Sequence, residues 1–188
     1  MLLKVTPYGD PLLRRQSERI DVVDETILRL IADMFDTLKA THGIGLSAPQ
    51  VGVSKQLLII DWDAIVKDES MKAYLNPEIL ELGGANVSKE EGCLSLPKIF
   101  AKVTRPDKVK VRYTTVEGEV VEETLKDLPA RVLQHEFDHL QGVLLIDRVT
   151  ADVRKGLKPA LQAILDGRVV PFDPDKPETM VKEKNGAI

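Results

Sequence analysis

The spacing of apolar positions predicts an amphipathic helix near the start of the chain. Between Asp24 and about Lys39, apolar side chains recur every three or four residues, at Ile27, Leu30, Ile31, Met34, Phe35 and Leu38. This period places them on one face, which would pack against a core. Asp24 is suited to cap the first turn, and Gly43 lies where the helix should end.

Short apolar runs and alternating patterns predict strands in the middle of the chain. The segments 55–62 (KQLLIIDW) and 73–80 (AYLNPEIL) have the pattern of strands, the second interrupted by an Asn-Pro pair. Residues 107–125 alternate apolar and polar on both sides of a central Glu-Gly pair. That arrangement is typical of a β-hairpin.

Two more helices are predicted in the second half. Asp127 could cap the first of them, Pro129 is tolerated in its first turn, and Gly142 ends it. The other spans about Ala151 to Leu165. Because helices and strands do not alternate regularly, the sequence predicts an α+β fold with largely antiparallel strands.

Length and composition predict one domain followed by a tail. Residues 1–165 contain all the periodic segments and are expected to form a single domain. Residues 166–188 contain three prolines and many charges, so we expect this tail to be extended or disordered.

Charge and hydropathy narrow the class of protein. The 188 residues are 43% hydrophobic and 30% charged, which is ordinary for a globular protein. The net charge of −4 does not favour binding to nucleic acid or to anionic membranes. The longest aliphatic run, LLII at 57–60, is too short to cross a bilayer, and the first residues lack a signal-peptide pattern. We expect a cytoplasmic protein, or one from an organelle stroma or matrix after removal of a transit peptide.

Two of the three histidines lie in the segment 134–142 (QHEFDHLQG) of the predicted second helix. His135 and His139 are four residues apart, so both rings can chelate one metal ion, and Glu136 can reach a water on that metal. An accidental match with solvated charges is the alternative. Apolar residues on two faces of this helix predict that it is buried at the centre of the fold, with the strands around it. The other two predicted helices are N-terminal and C-terminal to it in the chain.

The single cysteine, Cys93, lies in the segment 91–97 (EGCLSLP), which has a strand-like pattern. One cysteine cannot form an internal disulfide. A catalytic metal site needs three protein ligands and one open position, and the two histidines leave one ligand missing. A thiolate would supply it. A small buried hydrophobe is the alternative interpretation of this residue.

The segment 43–52 (GIGLSAPQVG) is the third candidate for function. Its glycines formally match a dinucleotide-binding pattern, but a helix precedes the segment and a proline follows them, which argues against that site. Two interpretations stay open. The segment is a helix stop followed by a turn, or it is a backbone that approaches a ligand closely while Gln50 supplies an amide donor.

Together these three motifs resemble those of peptide deformylases. GIGLSAPQ, EGCLS and QHEFDHLQG occur in the order and at the separations typical of that family, and the combination is highly specific. Further similarity lies in YGDPLLRR near the start, LNPEI in the middle and VTRPDKVKV after the cysteine. The resemblance covers residues 3 to 165. The lack of a long insertion before the cysteine, and LSLP after it, resemble the shorter bacterial and organellar type.

The resemblance implies that the chain removes the N-formyl group from the initiator methionine of nascent polypeptides and releases formate. Cys93, His135 and His139 would hold one divalent metal ion, with water in the fourth position. In this family the native ion is usually Fe²⁺, and Zn²⁺, Ni²⁺ or Co²⁺ can occupy the same site.

The family also implies the catalytic roles. Glu136 would take a proton from the water and deliver it to the departing amine. The side chain of Gln50 and the backbone N–H of Leu94 would stabilise the tetrahedral oxyanion.

The expected substrate site lies along the same segments. The peptide would add as a strand beside Ile44–Gly45 and Gly92. Leu128 and Val132 share the histidine face of the helix, and from this spacing we predict that they line the methionine pocket. N-formylmethionyl nascent peptides are the expected partners, with neither nucleic acid nor membrane. A transient ribosome contact, credited to the last helix in some bacterial members, has little support in a segment with only three basic residues and a proline.

Departures from the family pattern are few. Ser47 stands where alanine is most frequent, a small change that should not disturb the loop. Arg131 occupies a position that is apolar in some members, which predicts a more polar pocket rim. Asp138 is often paired in the family with an arginine after the cysteine, and Arg105 is the candidate.

Two other classes of function remain as alternatives. A metallopeptidase of the H-E-x-x-H type would take its third ligand from downstream of the helix, where Asp147 and Asp152 lie. A non-catalytic metal-binding module would normally need four protein ligands, and only three good ones are visible. Hydrolysis of formylated against unblocked peptides separates these possibilities.

Overall fold

The computed structural model describes residues 1–67, 70–176 and 179, and within them the chain is an α+β fold, as predicted. Three α-helices accompany one five-stranded sheet in these ranges. The elements in chain order are α1 (Glu25–Thr41), β1 (Gly45–Ser47), β2 (Leu57–Ile60), β3 (Lys72–Gly92), β4 (Phe100–Thr114), β5 (Val120–Lys126), α2 (Asp127–Leu140) and α3 (Ala151–Leu165).

The sheet is an antiparallel meander in which each strand pairs with the next, in the order β1-β2-β3-β4-β5. The predicted antiparallel arrangement is therefore confirmed. The hairpin expected around Glu117-Gly118 joins β4 to β5, and Gly118 has a φ of 87°, a conformation that glycine adopts without steric cost. At the other edge, Gly45 pairs with Ile60, so the first motif forms the outermost strand.

Strand β3 is much longer than predicted. It continues past the Asn-Pro pair to Gly92, with three register shifts against β4. At the first of these shifts, Asn76 has a φ of 49° and its side-chain amide bonds the backbone of Ile20. Residues 81–90 are largely exposed and polar, so they carried no apolar signal. The strand ends one residue before Cys93, which corrects the expectation that the cysteine lies within a strand.

Helix α1 begins as predicted but ends differently. The carboxylate of Asp24 accepts a hydrogen bond from the N–H of Ile27 at 2.9 Å, which confirms the cap. His42, with a φ of 53°, adopts the left-handed conformation that ends the helix, one residue before the predicted Gly43. The buried face of α1 packs on side chains of β1, β2 and β3.

Helix α2 lies at the centre, with residues 130–136 and 138–140 all buried. It packs against strands β1, β2, β4 and β5. Lys126, rather than the predicted Asp127, occupies the cap position, and Asp127 is the first helical residue. Gly142, with a φ of 72°, follows the helix and lies so close to the backbone of Arg14 that a Cβ would meet its carbonyl oxygen at 2.6 Å.

Helix α3 has the predicted span and packs its buried Leu161 and Ile164 on the cluster that contains Cys93. In the tail, Phe172 is buried and its carbonyl accepts a hydrogen bond from the N–H of Val5 at 2.8 Å. Residues 177, 178 and 180–188 lie outside the described part of the chain, so the expectation for them stays a prediction. None of the described helices is long and apolar enough to span a membrane.

Candidate metal centre

Cys93, His135 and His139 meet in the interior of the protein. One donor atom from each of the three lies within 4.8 Å of the others, and the Sγ of Cys93 is 3.2 Å from the Nε2 of His139. Their exposed fractions are 3%, 2% and 1%. A thiol and two imidazoles that converge in this way form a set of three protein ligands, the number found in catalytic sites for borderline-soft divalent cations.

Two elements bring these ligands together. Cys93 follows the end of β3, where its carbonyl accepts a hydrogen bond from the N–H of Leu96 and so begins a turn. The histidines are one turn apart on α2, and their ring centroids are 5.3 Å apart. The ligand in the turn after β3 and the two ligands on α2 are therefore positioned by separate elements.

Glu91 fixes the orientation of His135. The Nδ1 of His135 lies 3.0 Å from the Oε2 of Glu91, so this nitrogen carries the proton and donates it. The Nε2 of His135 is then free to act as a ligand, and it has no hydrogen-bond partner among the described residues. Carboxylates that hold metal-binding histidines in this manner also raise their basicity as ligands. Sequence reasoning did not single out Glu91.

Glu136 and His139 respond to burial in opposite ways. Burial raises the pKa of Glu136 to about 7, and neither of its carboxylate oxygens has a hydrogen-bond partner in the described part of the chain. Burial lowers the pKa of His139 well below its usual range, which keeps the imidazole neutral. A neutral imidazole can act as a metal ligand, and a carboxyl group whose pKa lies near 7 is suited to exchange protons.

Gln50 lies across the site from α2 in a defined orientation. Its Oε1 accepts hydrogen bonds from the N–H of Ser47 at 2.9 Å and from the Ser47 hydroxyl at 2.8 Å. Its Nε2 is therefore turned toward Cys93, 3.5 Å from the Sγ. Ser47 does more than replace a small residue, because its hydroxyl helps to select the orientation of this amide.

Comparison with known proteins agrees with the motifs and the site. The model of the polypeptide deformylase family matches residues 2–155. The chain is 44% identical over 165 residues to a peptide deformylase of Pseudothermotoga lettingae, covering 88% of this chain and 93% of that one. This chain belongs to the polypeptide deformylase family. It is also 45% identical over 161 residues to the chloroplastic peptide deformylase 1B of Oryza sativa, covering 85% of this chain and 60% of that one.

The fold agrees with solved structures of the family. The crystal structure of a plant peptide deformylase superposes with a TM-score of 0.83 at 41% identity, covering 88% of this chain and 90% of that one. Family membership assigns peptide deformylase activity to the chain, and the cysteine and two histidines form the metal-binding site of a metal-dependent hydrolase.

A buried network of charges surrounds the deformylase site. Arg105 bonds Glu91 with two nitrogens, its Nε to Oε1 at 2.8 Å and its Nη2 to Oε2 at 3.0 Å. Although burial raises the pKa of Glu91, its bonds to His135 and Arg105 lower this pKa to about 2. The Nη1 of Arg105 also bonds Asp138 at 2.8 Å, which confirms the predicted pair, and Arg148 contacts the same carboxylate. Glu91 is therefore ionised beside a metal ligand.

Arg131 does not lie where it was expected. We predicted that it would make the pocket rim more polar, but its guanidinium is buried and bonds Glu91 and two backbone carbonyl groups. The helix face that carries Arg131 packs against the β3–β4 hairpin, and the predicted rim role is wrong for this reason.

The residues expected to contact substrate lie around the same centre. Ile44 and Leu128 are half-buried and pack against one apolar cluster, in which Val132 is fully buried. Gly45 lies so close to α2 that a Cβ would stand 2.8 Å from Val132 and 2.7 Å from a carboxylate oxygen of Glu136. Gly92 is buried, and Leu94 is half-buried. Their contacts with substrate stay predictions.

The charge network generates a prediction about stability. Replacing Arg105 with Met would leave Glu91 and Asp138 buried with fewer positive partners, and removal of one partner from a buried ion pair costs about 3–5 kcal/mol. We expect Arg105→Met to lower the free energy of unfolding by that amount in urea titrations. Arg112→Met is the matched control, because Arg112 is exposed and its pairs should contribute less than about 1 kcal/mol. Equal losses in the two variants would contradict the network.

Proposed function

We propose that Glu136 transfers the protons, and that Gln50 and Leu94 stabilise the oxyanion, when this centre hydrolyses N-formylmethionyl peptides. The observation that carries the proposal is the position of Glu136. Its carboxylate is buried, has no hydrogen-bond partner among the described residues, and belongs to the residue next to His135 on the helix that carries both histidine ligands.

The ligand set supports one divalent metal ion at Cys93, His135 and His139. The Nε2 of buried His135 has no hydrogen-bond partner among the described residues, and its convergence with the donor atoms of Cys93 and His139 fits a metal. A bound divalent cation supplies a Lewis acid that lowers the pKa of a coordinated water. The family resemblance favours Fe²⁺ as the native ion, and thiolate and imidazole donors also suit Zn²⁺, Ni²⁺ and Co²⁺.

Glu136 supplies the route for protons. The carboxylate accepts a proton from the water while the oxygen of that water attacks the formyl carbon. The carboxylic acid then returns this proton to the amine nitrogen as the carbon–nitrogen bond breaks, which releases formate and a free N-terminus. Burial keeps bulk water from competing for the proton.

Gln50 and Leu94 supply donors for the developing negative charge. Because Ser47 occupies the Oε1 of Gln50, the Nε2 hydrogens remain directed into the site. Leu94 directly follows the metal ligand Cys93, so its backbone N–H lies beside the reacting centre. Fixed donors aimed at the oxyanion cost no reorganisation during the reaction.

The sheet supports an extended peptide substrate. Strand β1 is at the edge of the sheet and, among the described strands, pairs with β2 alone, so we place strand addition at its other edge, beside Ile44–Gly45. Gly92 ends β3 next to the metal ligand, and we place the substrate backbone between these two segments. Half-buried Leu128, with Val132 behind it, provides an apolar wall for the methionine side chain.

In the described part of the chain, neither downstream candidate of the metallopeptidase alternative belongs to the metal-ligand cluster, and Asp152 is exposed on α3. The carboxylate of Asp147 accepts hydrogen bonds from Arg14 and from the N–H of Leu144, so its partners lie outside the metal site. Cys93 takes the third position instead. A ribosome contact by α3 has no supporting observation, and the proposal does not include one.

The proposed role of Glu136 predicts that Glu136→Gln retains metal but releases formate roughly 10²–10⁴ times more slowly, because general acid–base catalysis contributes about that factor. The measurement uses protein loaded anaerobically with Fe²⁺ or Ni²⁺ and a formyl-methionyl tripeptide, with acetylated and unblocked peptides beside it. Glu122→Gln, an exposed change on β5, is the control and should keep full activity. A Glu136→Gln enzyme with near-normal turnover would rule out this role.

The proposed oxyanion donor predicts a second kinetic effect. Gln50→Met keeps the length of the side chain but removes the donor, and we expect kcat to fall by about 10²–10³. Ser47→Ala should lose much less, because the backbone N–H of Ser47 still holds Oε1. A Gln50→Met enzyme with the same kcat as Ser47→Ala would argue against the donor role.

The proposed pocket predicts a change in selectivity. Leu128→Ala should reduce the preference for formyl-methionyl over formyl-alanyl peptides by roughly 10-fold, because apolar contacts of a few methylenes discriminate by about this factor. The ratio of kcat/KM values for the two peptides measures the effect, and the alanyl peptide serves as the internal control. An unchanged ratio would place the methionine side chain elsewhere.

A further inference from the structure

We propose that Arg131 is a positioning residue that fixes Glu91 against the metal ligand His135, and so determines how firmly the metal is held. The inference rests on the proposed metal site and adds to it a residue that contacts neither metal nor substrate. Its evidence is the hydrogen bonding of one buried guanidinium.

Arg131 is only 4% exposed, and each of its hydrogen bonds ends on a buried or strand-bound oxygen. Its Nη1 donates to the Oε1 of Glu91 at 2.6 Å and to the carbonyl of Val103 at 3.0 Å. Its Nη2 donates to the carbonyl of Val87 at 2.5 Å. A buried cation with this many directed bonds can adopt few other positions.

The two oxygens of Glu91 have separate partners. Oε1 accepts from Arg131 and from the Nε of Arg105, whereas Oε2 accepts from His135 and from the Nη2 of Arg105. With Arg105 alone, the carboxylate of Glu91 would be held by two parallel hydrogen bonds and could still tilt about them. Arg131 adds a bond from a different direction on the oxygen opposite His135, and this bond keeps Oε2 facing the imidazole.

Arg131 also connects the two elements that supply metal ligands. It lies one turn before His135 on α2, and it bonds carbonyl groups on both strands of the hairpin, Val87 on β3 and Val103 on β4. Strand β3 then runs through Glu91 to Cys93. A single side chain therefore fixes the hairpin that leads to the thiolate relative to the helix that carries the imidazoles.

The test is metal retention, which does not depend on turnover. Protein loaded with Co²⁺ is challenged with excess chelator, and the loss of the thiolate-to-cobalt absorption band gives the rate of release. We expect Arg131→Met to release Co²⁺ roughly 10–100 times faster than the unmodified protein, the usual effect of losing a residue that orients a metal ligand. Arg112→Met, an exposed arginine on the same hairpin, should release it at the normal rate.

Two further variants distinguish positioning from general support of the fold. Arg131→Lys keeps a cation that can reach Glu91 but cannot serve both carbonyl groups, so it should restore most of the retention and the normal absorption band. In a Glu91→Gln background, Arg131→Met should raise the release rate by a smaller factor than in the unmodified protein, because the contact that the two residues share is already altered. Additive effects, or an Arg131→Lys protein that behaves like Arg131→Met, would overturn the inference.

The outcomes separate this inference from the proposed function. If the unmodified protein takes up no Co²⁺, both are overturned. If it binds Co²⁺ and Arg131→Met releases it at the normal rate, the inference alone fails. Should Arg131→Met not fold, Arg131→Lys, measured alone and in the Glu91→Gln background, decides the matter by the same assay.

Discussion

The structure of the site depends on one buried carboxylate. Glu91 is enclosed by protein, yet it stays ionised because two guanidinium groups and an imidazole bond it on all sides. Burying these charges is costly, and the arrangement is stable only while every member is paired. These bonds fix the geometry of the site. They orient His135, and they join the strand that leads to Cys93 to the helix that carries both histidines.

Two glutamates in this interior have opposite properties, and their surroundings explain why. Arg105 and His135 hold the pKa of Glu91 at about 2, so it serves as a permanent anion. Neither carboxylate oxygen of Glu136 has a hydrogen-bond partner among the described residues, and burial raises the pKa of this group to about 7. One carboxylate therefore orients a ligand while the other can exchange a proton near neutral pH. Pairs of carboxylates whose pKa values are pushed apart in this way commonly divide structural and acid–base roles.

The sequence predicted the parts of this arrangement that follow from local spacing. Histidines four residues apart on an amphipathic helix must share a face, and a lone cysteine in a family motif is a natural third ligand, so the metal centre was predictable. The length of β3 was not, because its polar half pairs only with β4 and has no apolar face. The sequence analysis also missed Glu91 and placed Arg131 at the pocket rim. A buried ion pair between distant segments cannot be distinguished in the sequence from two exposed charges.

The contact between Ser47 and Gln50 was also not predictable from the sequence. A serine in place of alanine looked neutral, but its hydroxyl bonds the amide of Gln50 and directs the other end of that amide toward Cys93. The effect depends on a turn that brings residues 47 and 50 together, which composition alone does not reveal. Roles that arise from tertiary contacts therefore had to come from the structure.

The most direct test of the account is X-ray absorption spectroscopy of the protein loaded with one equivalent of Ni²⁺. The account predicts a first shell with one sulfur and two imidazole nitrogens, completed by a light atom from solvent, and loss of the sulfur in Cys93→Ser. A shell without sulfur, or one that Cys93→Ser leaves unchanged, would contradict the central claim that Cys93, His135 and His139 form the metal site.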